Sequence, residues 1–303
     1  MHRWWHGCRH VCGTALTPRT SPGDVPRRAP YDQIVFSGGG LRCFWHGGWM
    51  EAAGRRFTFD ADRITGSSGG ALSAAAWIAG RETFLFDRFA RAVTRTDRNV
   101  TFEDIGKDHG RSPHQRVYEA IVEDVIDAAA QTRIGNGPAF QISVSTTGDS
   151  SAATVRALAA GTIYQVEQVL APTPRPRLSS IAGVDQRMID ARRAARDGTL
   201  PDLIRMAATV PPAFRPDDWD GEPIYDDGMV DKAPLPIPDE GQTLVLLTKR
   251  FRNQPDNDPD RIDYIQPSES VLSGSKLDFT EPALLREAWD QGLQDGDVWG
   301  KSR

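Results

Sequence analysis

With 303 residues, 39% of them hydrophobic and 25% charged, the chain is long enough to bury a sizeable core and too apolar to be mainly disordered. Its formal net charge of -5 excludes the overall positive field that holds proteins on nucleic acid phosphates. No apolar run approaches the roughly 18 residues a membrane-spanning helix needs, so the chain reads as soluble or peripheral.

Residues 1–30 have no apolar core of a secretory signal and no periodicity, and Thr17 to Pro30 is rich in Pro, Arg, Ser and Thr; a disordered leader is expected. His6, Cys8, His10 and Cys12 are metal-ligand types, but four alternating residues in one extended segment would struggle to close a tetrahedron, and no metal is expected. Trp4 and Trp5 beside Arg3 and Arg9 offer an alternative seat at a lipid interface. Cys8, Cys12 and Cys43 make no disulfide framework, which points to a reducing, cytoplasmic setting. Lys occurs only at 107, 232, 249, 276 and 301, a bias that composition alone accounts for.

The folded domain, residues 31–303, is expected to begin with a buried strand at Gln33 to Ser37 that runs into Gly38-Gly39-Gly40, with a helix over Phe44 to Ala53. Arg63 to Thr65, Gly66 to Gly70 and Ala71 to Ala79 repeat the order of strand, glycine turn and helix, which implies parallel strands. Helices follow at Glu82 to Arg95 and Pro113 to Gln131, then an alternating strand at Phe140 to Thr146. Ala153 to Ala171 and Leu200 to Thr209 read as helices, Thr243 to Leu247 as a buried strand, and Arg261 to Ile265 as an edge strand. Pro282 to Gly296 is a terminal amphipathic helix. The acidic run from Asp256 to Asp260 resembles a calcium loop, but Arg261 stands at the sixth position where that loop needs Gly. The pattern is that of an α/β protein, a three-layer α/β/α arrangement around a largely parallel sheet.

Gly66-Ser67-Ser68-Gly69-Gly70 matches G-x-S-x-G, the turn that lifts a nucleophilic serine between a strand and a helix. A serine hydroxyl needs a base, because it is scarcely ionised at neutral pH. In an α/β-hydrolase that base is a histidine late in the chain, yet His114 is the last histidine here. His46 is the histidine nearest a motif, and on a helix it reads as a packed residue; a carboxylate is the better candidate base. Ile224-Tyr225-Asp226-Asp227-Gly228-Met229 supplies one, where a short strand enters an Asp-Gly turn. Gly38 to Gly40 lacks the glycine at 43 that a dinucleotide site requires, since Cys43 stands there, and no Lys-Ser/Thr pair follows.

Taken together and in this order, Gly38-Gly39-Gly40-Leu41-Arg42, Gly66-x-Ser68-x-Gly70 and Asp227-Gly228 resemble the three motifs of patatin-like phospholipases. Ala207 to Pro212, Pro267-Ser268, Leu277-Asp278-Phe279 and the helix from Pro282 extend the resemblance over residues 31 to 297. It implies a patatin-like fold and a Ser–Asp dyad, with Ser68 as nucleophile and as base Asp227, the acid directly before the glycine, rather than Asp226. It further implies an oxyanion hole from the amides of Gly38, Gly39 and Gly40, with Arg42 holding that loop, and no metal or organic cofactor. Cys43, Met229 and Asp231-Lys232-Ala233 depart from the family's usual residues. The implied substrate is an acyl-lipid ester, a phospholipid first of all, met through transient contact with a membrane surface. A thioesterase or small-ester esterase with the same dyad, and a catalytically silent lipid-binding scaffold, are the alternative expectations.

Overall fold

The computed structural model describes residues 25–95, 112–146, 173–174, 185–210, 214, 217–229, 231–255, 257–258, 260–276 and 280–303. The expected helix over 153–171, the leader ligands His6, Cys8, His10 and Cys12, and Leu277 to Phe279 lie outside the described residues.

The elements run β1 (Arg27–Arg28), β2 (Gln33–Phe36), a 3-10 turn over Gly40–Cys43, α1 (Phe44–Gly54), β3 (Phe57–Thr58), β4 (Arg63–Ser67), α2 (Gly69–Ile78) and α3 (Glu82–Val93). They continue with α4 (Pro113–Val125), α5 (Ala128–Asn136), β5 (Ala139–Thr146), β6 (Asp185–Asp190), α6 (Ala191–Asp197), α7 (Leu200–Ala207), β7 (Asp218–Trp219) and β8 (Glu222–Asp226). A 3-10 turn over Asp227–Met229 then leads to β9 (Thr243–Leu246), β10 (Ile262–Ile265) and α8 (Pro282–Ser302).

Eight strands form one sheet in the order β10-β9-β2-β4-β5-β8-β7, with β6 also paired to β5; β1 and β3 make a separate parallel pair. The pairs from β10 to β5 are parallel, while β6, β7 and β8 are attached antiparallel. This is an α/β fold with a mixed, largely parallel central sheet flanked by helices. The four residues of β2 and the four of β9 are buried without exception, the continuous apolar habit of central parallel strands. Alternation then divides them: Ile34, Phe36, Leu244 and Leu246 join the main core, whereas Val35, Val245 and Leu247 pack with Ala233, Phe251 and Tyr264.

Two local expectations are corrected. The helix read across Pro113 to Gln131 is two helices, because Asp127 caps α5 by accepting the amide of Ala130 at 2.9 Å. The terminal helix runs past Gly296 to Ser302 and crosses α1 very closely. A Cβ at Gly292 would stand 2.2 Å from the Trp45 carbonyl oxygen, and one at Gly48 would stand 2.1 Å from that of Trp289, so only glycine permits this approach. β6 and α6 have no counterpart in the sequence reading; the former, Asp-Gln-Arg-Met-Ile-Asp, carries a single strongly apolar pair and owes its strand state to pairing with β5.

Candidate active site

Strand β5 acts as a ruler. One of its edges is taken along 141–146 by β6, while the other is shared end to end by two strands. Along that shared edge, β4 pairs with residues 139–143 and stops at Ser67 opposite Ser143; β8, running the other way, pairs with 144–146 and stops at Asp226 opposite Val144. The ends of β4 and β8 therefore meet. Ser68 leaves β4 there with φ 52°, a left-handed conformation costly for a residue with a side chain, and α2 begins at the next residue.

The turn is as tight as its motif demands. A Cβ at Gly70 would stand 2.3 Å from the Phe36 carbonyl oxygen, and one at Gly66 would stand 2.7 Å from the Cα of Ala71. Both glycines are thus required by close backbone approach. Ser68 is buried, and its hydroxyl donates to Oδ2 of Asp226 at 2.6 Å. The other carboxylate oxygen of Asp226 accepts the Gly228 amide at 2.7 Å. Burial raises the Asp226 pKa, opposed by the hydrogen bonds from Ser68 and Gly228 and by the charges of Lys276 and Lys232.

The hydrogen bond expected between Ser68 and Asp227 is therefore made by Asp226 instead. Period-two alternation is the reason. Asp226 lies opposite Val144 and shares its face of the sheet, so Asp227 turns to the face of Ser143 and Ser145. Both serine hydroxyls donate to Asp227, that of Ser145 at 3.0 Å, and the Gln186 amide of β6 donates to it at 2.8 Å. Burial, with the charge of Asp231 added, pushes the Asp227 carboxyl up to about 7.

The glycine loop packs directly over this junction. Gly38 is also placed differently from its expected role: its amide donates to the Lys232 carbonyl at 2.9 Å, which commits it to the framework. Arg42 donates from Nε to the Gly39 carbonyl at 3.3 Å, as a loop-holding residue would. Gly39 abuts Thr248, whose hydroxyl donates to the Gly38 carbonyl at 2.7 Å. Gly40 has φ 59°, and its backbone lies against the Lys276 carbonyl. Cys43 is buried with its thiol directed to the Ser37 carbonyl, and burial pushes that thiol up to about 12, away from thiolate chemistry.

His46 stands apart from the Ser68–Asp226 hydrogen bond. It is fully buried, bonds the Leu246 carbonyl through Nε2 at 3.1 Å, meets Phe36 edge to face, and is lowered to about 4 by desolvation. Sequence reasoning did not find Ser143, Ser145 and Gln186, whose link to Asp227 depends on strand register. Among the described residues no cluster of His, Cys, Asp and Glu could hold a metal ion, and no helix is long and apolar enough to cross a membrane.

A family model described as patatin-like phospholipase matches residues 34–239, which include Ser68, Asp226 and the glycine loop. No curated protein matches the chain. Among solved structures, VipD from Legionella pneumophila is similar with a TM-score of 0.44 at 9% identity, over 89% of this chain and 67% of that one.

Proposed function

The chain belongs to the patatin-like phospholipase family, a family of lipid acyl hydrolases, and from that premise we propose that it cleaves acyl-lipid esters with a dyad of Ser68 and Asp226. The observation that carries the reading is the 2.6 Å hydrogen bond from the Ser68 hydroxyl, on its strained turn, to the buried Asp226 carboxylate. A carboxylate with a raised pKa is a stronger base than an exposed one, and the contact lies within proton-transfer reach.

In this mechanism Asp226 takes the Ser68 proton as Oγ bonds to the ester carbonyl carbon, and the carbonyl π electrons move to oxygen. The amides of Gly39 and Gly40 stabilise that oxyanion, since Gly38 is engaged by Lys232. Collapse breaks the bond to the leaving alkoxide, which receives the proton from Asp226. Water then adds to the acyl-enzyme, again giving its proton to Asp226, and release of the fatty acid returns that proton to Ser68. A phospholipid is the substrate class the family name favours. Asp227 acts differently, pinning the end of β8 to β5 and β6 through Ser143, Ser145 and Gln186.

Labelling by a fluorophosphonate probe, together with turnover of a short-chain phospholipid, tests the assignment. Ser68→Ala should abolish labelling and turnover. Asp226→Asn should slow both by about 100-fold or more, the scale of a lost general base, while folded Asp227→Asn keeps most of its labelling. The reverse order of the two Asp variants would return the base to Asp227.

A further inference from the structure

Thr248 is buried just beyond the end of β9, and both its amide and its hydroxyl reach the segment that follows β2. The amide donates to the Ser37 hydroxyl oxygen at 3.0 Å, and the hydroxyl donates to the Gly38 carbonyl at 2.7 Å. Strand pairing brings them together: β2 and β9 run parallel with Phe36 opposite Leu246, so the two strands end side by side. The Gly38 carbonyl belongs to the same peptide unit as the Gly39 amide, and in this trans unit the two point in opposite directions. A hydroxyl that holds the carbonyl on one side therefore turns the amide to the other.

Gly39 is buried, yet among the described residues its amide meets no acceptor, whereas the amide of Gly38 donates to the Lys232 carbonyl and that of Leu41 to the Lys276 carbonyl. Buried backbone donors are nearly always paired, so an amide left open in this place suits an oxygen of a bound ligand. The loop also stands against the nucleophile, since a Cβ at Gly38 would lie 3.2 Å from the Cβ of Ser68. We propose that Thr248 is a positioning residue, its hydroxyl fixing the Gly38–Gly39 peptide so that the Gly39 amide faces the oxygen that becomes negative when Ser68 attacks. The hydrogen bond to the carbonyl also polarises the peptide and strengthens its N–H as a donor. Packing against Gly39 asks only for the branched shape of Thr248, which Val supplies as well; the hydroxyl is what acts on the peptide. The inference rests on the proposed hydrolase and adds to it a residue that acts through the loop without touching substrate.

The test compares Thr248→Val and Thr248→Ala, which lack the donor, with Thr248→Ser, which keeps it, in the full chain and at a temperature where thermal melting shows each variant folded. Turnover is followed with dihexanoyl phosphatidylcholine, and inhibition with an alkyl trifluoromethyl ketone. Addition of Ser68 Oγ to the carbonyl carbon of that ketone sends the π pair to its oxygen and the serine proton to Asp226, so its affinity reports on the oxyanion site. Both donor-free variants should lose about tenfold or more in kcat with KM within about twofold, and should bind the ketone more weakly by a similar factor. Thr248→Ser should stay within about threefold of the wild type in kcat, although it gives up a buried methyl group that Thr248→Val retains. A second donor-free variant keeps the comparison whole if Thr248→Val does not fold. Wild-type kcat in the donor-free variants overturns the proposal, as does Thr248→Ser falling as low as Thr248→Val, or a loss of kcat that ketone affinity does not follow. Failure of the hydrolase reading shows itself separately, as wild-type protein whose turnover matches that of Ser68→Ala, and it removes the positioning role along with the reaction.

Discussion

Two adjacent carboxylates, Asp226 and Asp227, occupy the same strand end and do opposite things. One accepts the Ser68 hydroxyl; the other is enclosed by Ser143, Ser145 and Gln186. Their electrostatics make the division testable without any substrate. Folding raises the Asp227 pKa from 3.8 to about 7, so the folded chain binds the extra proton between those values. This stabilises the fold fully below about pH 4, and the contribution is lost as pH rises through 7. Asp227→Asn removes the titration and keeps an amide able to bond the same partners. Urea midpoints at pH 5 and pH 8 should therefore show the variant gaining on the wild type as pH rises, by on the order of 2 kcal/mol. A constant difference between the two pH values would mean that Asp227 is not held in its buried, protonatable state.

At the scale of elements, the glycine loop is wedged between the end of β2 and the segment after β9, and its middle residue has no room. A Cβ at Gly39 would lie 2.2 Å from the Thr248 hydroxyl oxygen and 2.9 Å from its Cβ. The plain steric expectation for a surface turn, that Ala is tolerated there, does not hold at this position. Gly39→Ala should push the loop from Thr248, lowering the melting temperature and misdirecting the donors of the proposed oxyanion hole. Turnover should fall about 100- to 1000-fold with little change in KM, the magnitude of one lost donor. Adding Thr248→Ala relieves part of the crowding and should regain part of the lost melting temperature. Turnover unchanged in folded Gly39→Ala would remove the loop from the mechanism.

For the whole molecule, the buried His46 sets a limit on the acid side. It sits between Leu246 of the central sheet and Phe36, and its Nδ1 has no hydrogen-bond partner among the described residues. Folding lowers its pKa from 6.5 to about 4, so the unfolded chain binds the extra proton in that interval. The contribution is present in full above about pH 6.5 and is lost as pH falls toward 4. His46→Met lacks this titration. Between pH 7 and pH 4.5 its unfolding free energy should fall less steeply than that of the wild type, by roughly 2 kcal/mol. Parallel pH profiles would show that His46 is not buried in the neutral form.

Alternation, glycine turns and apolar runs within the sequence determined the strands at Gln33, Arg63, Phe140 and Thr243, the helices after the two glycine turns, and the serine of G-x-S-x-G, because all of these follow from local sterics and period. The missing late histidine likewise pointed to a carboxylate. What local pattern could not decide was which carboxylate meets Ser68, since Asp226 and Asp227 differ only in the face they present. That face is set by the register of β8 on β5, a contact across 82 residues between Ser145 and Asp227. Nor could it show that the segments of Lys232, Thr248 and Lys276 converge on Gly38, Gly39 and Gly40, because each is distant along the chain and only the folded sheet brings them there. Residue types and turns are properties of neighbours along the chain; register and convergence belong to pairings between distant strands, and these only the tertiary structure decided.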